Sequence, residues 1–127
     1  SEMCIRDRYI LGKLNKHNGG QREVDLYSET DTIEHILPQN PDDNWQIDED
    51  TAEQLVYRLG NQCLLEKSLN KNLGNSEYSV KKEIYKESSF KDTKDIAENY
   101  DRWDKNAINS RQSKMGRTAK AIWKIDF

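Results

Sequence analysis

The sequence predicts an α+β fold: a mostly helical domain built around one small pair of strands. Three observations carry that expectation. Apolar residues recur at helical spacing along most of the chain, as in Tyr9, Ile10, Leu11 and Leu14. Two segments, Thr32 to Leu37 (TIEHIL) and Gln62 to Leu65 (QCLL), are instead short apolar runs bounded by turn residues. With 127 residues there is enough chain for one domain with one modest core.

In chain order, the first helix ends at Asn18-Gly19-Gly20, and a polar stretch from Gln21 to Asp31 leads into the first strand. Pro38 closes that strand, and Asn40-Pro41-Asp42-Asp43-Asn44 is a loop by its turn chemistry. A capping box from Thr51 to Gln54 predicts a second helix, with Leu55, Val56 and Leu59 as its apolar stripe and Gly60 as its stop. The second strand, Gln62 to Leu65, follows. Tyr78, Val80, Ile84 and Tyr85 suit a helix capped near Ser76 or Ser79. For the last helix Asp104 is the cap, Trp103 and Ile108 have the spacing of a hydrophobic staple, and Ile108, Met115, Ala119, Ile122 and Trp123 face the core. Gly116 weakens it by roughly 1 kcal/mol relative to Ala. Trp45, Trp103 and Trp123 read as core or domain-contact residues, and His17 as a surface residue.

Composition narrows the function classes. Hydrophobic and charged residues each make up 34% of the chain, so polar a domain that a partner domain is expected to complete its core. Two cysteines give neither a disulfide framework nor a paired-cysteine zinc signature. The chain has no secretory signal and no apolar run of membrane-spanning length, so a cytoplasmic location without membrane contact is expected. The net charge of -3 argues against a general DNA-coating protein, but it is unevenly spread. Residues 1 to 63 carry 6 basic against 13 acidic side chains, and residues 64 to 127 carry 14 against 10. The basic half includes Lys67, Lys71, Lys81, Lys82 and Lys86, cations suited to hold phosphates. An ordinary solvated helix face is the alternative for each.

The chemistry-bearing segment is Thr32 to Gln39, T-I-E-H-I-L-P-Q. Successive side chains of a strand point to opposite faces, so Ile33, His35 and Leu37 share one face while Glu34 and Ile36 share the other. A bend in the strand would let a carboxylate hold a metal beside an imidazole that activates water. A second segment, Gly60-Asn61-Gln62-Cys63-Leu64-Leu65, precedes the polar cluster Leu69-Asn70-Lys71-Asn72-Leu73-Gly74-Asn75.

Together these segments resemble the HNH, or His-Me finger, nucleases. Within that superfamily, the pattern EHI-x-PQ, GN-x-x-LL and N-K-x-x-N from about Thr32 to Lys82 is most similar to the C-terminal domain of GmrSD-type, modification-dependent restriction proteins. The spacing from Asn61 to Asn70 also resembles the HNH domain of RNA-guided CRISPR nucleases. The resemblance implies a ββα-metal core in which Glu34 is the metal-binding acid, His35 the general base, Asn61 the brace of the loop carrying that base, and Asn70 the second metal ligand. Asn72 and Asn75 are fallback ligands. Many HNH proteins have a histidine where Asn70 stands, and an amide oxygen is a hard, neutral donor that favours Mg2+ or Mn2+ over zinc. Lys71, Lys82 and Gln39 are candidate substrate contacts. The implied reaction is hydrolysis of DNA, possibly base-modified, leaving a 5′ phosphate and a 3′ hydroxyl.

Residues 1–8, Ser-Glu-Met-Cys-Ile-Arg-Asp-Arg, resemble the translation of a transposon-end sequencing adapter. They are expected to be non-native, with residues 9–127 as the nuclease-like domain of a longer protein. By the resemblance, a nucleotide-hydrolysing domain would precede it as partner. Each role has a plainer rival: His35 as a core histidine, Gly60-Asn61 as a helix stop, Asn70 and Asn72 as a helix start. At the level of function the rivals are a non-cutting binding or docking module and a purely structural domain.

Overall fold

The computed structural model describes residues 2–27 and 30–123, with side chains from Ile5 onward. Ser1 and the side chains of Glu2, Met3 and Cys4, within the segment expected to be non-native, and Ser28 and Glu29 of the polar stretch lie outside the described residues. The elements run α1 (Glu2–His17), β1 (Asp31–His35), a 3-10 turn (Asp43–Trp45), α2 (Glu49–Leu55), a second 3-10 turn (Leu59–Asn61), β2 (Gln62–Glu66), α3 (Lys67–Asn70), α4 (Tyr78–Tyr85), α5 (Lys91–Asn99) and α6 (Lys105–Trp123). The architecture is α+β, mostly helical with one two-stranded sheet.

The strands pair antiparallel, with His35 opposite Gln62, Glu34 opposite Cys63 and Ile33 opposite Leu64. Beyond the two ends of this ladder, the Ile36 N–H donates to the Asn61 carbonyl (3.0 Å) and the Lys67 N–H to the Thr30 carbonyl (2.9 Å). Both bonds fall on even-numbered residues of the first strand. The odd-numbered pairs, His35–Gln62 among them, are therefore the non-hydrogen-bonded ones, whose side chains stand closest.

Both faces of the hairpin are covered. Cys63 and Leu65 belong to a core with Leu73, Tyr78, Tyr85, Ile96, Trp103 and Ile108. Leu64, with Ile33 against it, belongs to a second core with Leu11, Leu14, Phe90 and Met115. This double burial explains why β2 reads as an unbroken apolar run. The predicted strand to Leu37 stops at His35, because Ile36 and Leu37 both enter the first core instead of alternating.

Several local expectations need correction. The cap of α2 is Asp48, whose carboxylate accepts from the Thr51 N–H (2.8 Å), a contact typically worth about 1 kcal/mol. Thr51 instead donates its own hydroxyl to Asp48 (2.8 Å), and α2 ends at Leu55, short of Gly60. Gly60 is required for another reason: a Cβ there would lie 2.6 Å from the Ile108 carbonyl oxygen, so only glycine lets this turn approach α6. Glu77, not Ser76 or Ser79, precedes α4, and Val80 on that helix is 46% exposed. Helix α5 was not anticipated, since its buried stripe is only Thr93, Ile96 and Ala97 within a strongly charged segment. The start of α6 is as expected: Asp104 accepts from the Ala107 N–H (2.9 Å), and Trp103 and Ile108 share one core.

Candidate functional site

The hairpin's two faces hold different chemistry. On the face shared by Thr32, Glu34, Cys63 and Leu65, the Glu34 carboxylate turns inward and is 6% exposed. Its Oε2 meets the Lys81 ammonium at 3.0 Å and accepts from the Tyr85 hydroxyl at 2.7 Å. Lys81 is 0% exposed and also donates to the carbonyls of His35 and Ile36, each at 3.0 Å. Burial pushes the Glu34 carboxyl above its ordinary range, against the pull of Lys81 and Tyr85. Burial likewise holds the Tyr85 hydroxyl well above its ordinary value, so it remains a donor. Tyr78, Lys81 and Tyr85 are spaced three and four residues apart on α4, which gives that helix one inward stripe with a cation at its centre.

At the end of the hairpin, on the other face, the half-buried His35 ring packs edge-on against Tyr57 with centroids 5.7 Å apart. Neither ring nitrogen bonds a protein group among the described residues. Burial and the Lys81 ammonium both push the imidazole below its ordinary 6.5, so it is neutral near pH 7 and has a lone pair to offer. Directly opposite stands Gln62, whose amide nitrogen donates to the Tyr57 carbonyl at 2.9 Å.

Asn61 lies fully buried behind the turn that follows His35. Its Oδ1 accepts from the Leu37 N–H (2.8 Å) and from the Trp103 indole (2.9 Å), and its Nδ2 donates to the carbonyls of Leu37 (2.9 Å) and Val56 (3.0 Å). All four hydrogen-bonding positions of the amide are used. Helix α6 holds this turn from behind: the Arg111 guanidinium donates to the carbonyls of Gly60 (3.0 Å) and Gln62 (2.6 Å), and Gln112 accepts from the Gly60 N–H (2.6 Å). The segment Ile36–Leu37 after the histidine is thus clamped from both sides, by Lys81 and by Asn61.

Comparison with known protein families decides the relationship: residues 3–118 match the GmrSD restriction endonucleases, C-terminal domain. The chain belongs to that family. No curated protein and no solved structure matches it. For a GmrSD C-terminal domain the arrangement of the remaining expected residues is informative. Asn70 ends α3 and donates its amide nitrogen to the Thr32 hydroxyl at 2.8 Å, which puts it on the Glu34 face of the hairpin. Lys71 and Gln39 are exposed, and Lys82 pairs with Asp101 at 3.3 Å. Lys81, counted by sequence among the phosphate-holding lysines, is instead a core residue bound to Glu34. Asn72 and Asn75 are exposed, and the Asn75 carbonyl accepts from the Trp45 indole at 3.3 Å.

A divalent ion is the cofactor such a nuclease domain implies, and Glu34 and Asn70 are its expected ligands. As arranged here they do not fit one. Magnesium binds oxygen at about 2.1 Å, and Glu34 Oε2 is already shared by the ammonium and the phenol, so a second cation on this carboxylate would sit against the Lys81 charge unless Lys81 is displaced. Among the described residues no cluster of three His, Cys, Asp or Glu side chains is placed to hold a metal. The residues that sequence reasoning missed are Lys81 as a clamp, Tyr57 against the histidine, and Gln62 opposite it. One signal was available for each end: a lysine inside a buried stripe needs an acid, and a glutamine opening an apolar strand needs a partner.

Proposed function

We propose that this chain is a DNA endonuclease domain that hydrolyses phosphodiester bonds, the nuclease part of a modification-dependent restriction protein of phage defence. The observation that carries the reading is His35: a neutral imidazole at the end of a hairpin, with ring nitrogens that bond no protein group among the described residues and a backbone clamped by Asn61 and Lys81. In this reading His35 takes a proton from the attacking water, which lies in line with the leaving 3′ oxygen. Asn61 positions the base through the backbone of Leu37. Lys71 and Gln39, both exposed, and Lys82, after release from Asp101, contact the DNA. The hairpin with α3 is read as the ββα unit of the His-Me finger nucleases, supported by the family membership and by Asn70 facing the Glu34 side. Mg2+ or Mn2+ remains the implied cofactor, and it would take Glu34 only after Lys81 had moved away. Base-modification specificity and nucleotide hydrolysis are assigned to a preceding domain.

The test is nicking of supercoiled plasmid, with and without sugar-modified bases, in Mg2+ or Mn2+, against His35→Ala. Nicking that depends on His35 is the expected result; equal nicking by both proteins would remove the reading. The Glu34–Lys81 pair favours one rival, a GmrSD-like module that binds DNA without cutting. Gel-shift affinity that survives with no cleavage on any substrate would select it.

A further inference from the structure

Beside His35 lies a buried polar atom with no partner. Gln62 is 2% exposed, and its Oε1 bonds no group among the described residues. The amide orientation is not arbitrary. Its nitrogen donates to the Tyr57 carbonyl, a bond that only the NH2 end can make, so the orphan is the oxygen. A buried acceptor left unpaired is costly, and such atoms are rare enough in native proteins to call for an explanation.

The register supplies one. Gln62 and His35 are direct cross-strand partners in a non-hydrogen-bonded pair, the geometry that brings side chains closest. Both converge on the same residue, the glutamine through the Tyr57 carbonyl and the histidine through the Tyr57 ring. A neutral imidazole has one N–H that needs an acceptor and one lone pair that does the work of a base. Among the described residues the acceptor lacks a donor, and the imidazole ring, which makes no hydrogen bond to them, lacks an acceptor.

We propose that Gln62 Oε1 accepts the N–H of the His35 imidazole and thereby fixes its tautomer, so that the other ring nitrogen always faces the substrate. Gln62 is then a positioning residue and Tyr57 its anchor. The Tyr57 carbonyl fixes the amide, the amide fixes the ring, and the exposed Tyr57 ring limits the ring's swing from the other side. The catalytic meaning rests on His35 being the general base; the contact itself does not.

The chain has only two histidines, His17 and His35, so 15N-labelled imidazole spectra of the 127-residue protein resolve the two rings, with exposed His17 as internal control. At mildly alkaline pH, His35 is expected in a single tautomer, and Gln62→Met, which keeps the bulk and removes the acceptor, is expected to give a mixture while His17 is unchanged. If Gln62→Met does not fold, Gln62→Leu carries the same comparison. An identical tautomer ratio in the native protein and the acceptor-free variant overturns the proposal. In the nicking assay kcat should fall in Gln62→Met by up to about 10²-fold, the lower end of what a general base contributes, with KM little changed. Loss of His35-dependent nicking in the native protein together with a Gln62-dependent tautomer would sink the nuclease reading and leave the contact standing.

Discussion

The two ends of the E-H dipeptide are adjacent in sequence and opposite in state. Glu34 lies inside a filled network, its Oε2 matched by a cation and a hydroxyl, and that cation is matched by two carbonyls besides. His35 lies against an open one: its ring nitrogens bond no protein group among the described residues, and with Gln62 Oε1 accepting one N–H as proposed, the other nitrogen still faces outward. Buried polar groups are ordinarily satisfied, so a complete network describes scaffold, and an incomplete one describes a place kept ready for a ligand or a proton. In the proposed reading this contrast gives Glu34 the part of scaffold and His35 the part of the reactive group.

The largest effect tests the open side. His35→Ala is expected to lower nicking by about 10²- to 10⁴-fold, the range of a lost general base. Because the ring is half-buried and only the proposed bond to Gln62 is lost with it, melting temperature should fall far less than when the buried Lys81 is replaced. A large loss of stability with unchanged cleavage would make His35 the scaffold and reverse the contrast.

The closed side should respond the other way. Lys81→Met leaves Glu34 buried without its cation, and breaking such a pair costs about 3–5 kcal/mol. Removing both charges, as in Lys81→Met with Glu34→Gln, should recover much of that loss, since the uncompensated charge is gone. Chemical denaturation of the two singles and the double checks it. Manganese titration adds the sharper arm. A network that is only scaffold predicts that Glu34→Gln leaves Mn2+ affinity unchanged, whereas a marked loss of affinity would return Glu34 to the role of metal ligand.

Asn61 sits between the two sides, and a smaller effect is expected there. Asn61→Ala strands the Leu37 N–H and the Trp103 indole, which share one oxygen, together with two carbonyls. A cost of about 2–4 kcal/mol follows from the usual penalty for buried unpaired groups. Cleavage measured well below the melting temperature should fall as well, because the turn after His35 loses one of its two clamps. Full activity in a destabilised Asn61→Ala would reduce Asn61 to core packing.

How much of this was legible follows from the range of each interaction. The hairpin could be read, and His35 and Asn61 named as candidates, because strand alternation, turn residues and short motifs act over a few positions. Strand β1 ended two residues earlier than the pattern implied, since Ile36 and Leu37 obey the core and not the pleat. Lys81 was misplaced for a reason of distance: it meets Glu34 across 47 residues of chain, and in a lysine-rich half it looked like one more phosphate-facing cation. The Tyr78, Lys81, Tyr85 spacing held the correction in plain view, with Glu34 as the acid inside an apolar run. Gln62 was legible only as a strand residue; its significance depends on the register, which one sequence does not show.

The smallest effect joins the two sides through pH. His35 lies below its ordinary 6.5 through burial and the Lys81 ammonium. The acid limb of the nicking rate should therefore have its midpoint below 6.5, and the rate should be flat near neutrality. The stability consequence has a definite sign. Between the lowered folded value and 6.5 the unfolded chain binds more protons at His35 than the folded one, so stability is lost as pH falls through that window. Glu34 acts in the opposite sense: its folded value is raised above 4.5, so between those limits the folded state holds the extra proton and stability declines as pH rises. Subtracting the pH–stability curve of His35→Ala from that of the native chain isolates the first term. In the Lys81→Met, Glu34→Gln double variant one of the two causes of the histidine shift is absent, and the acid limb should move up toward 6.5. An unmoved limb would mean that the closed side of the hairpin does not reach the open one electrostatically, and that Lys81 acts on His35 through the backbone alone.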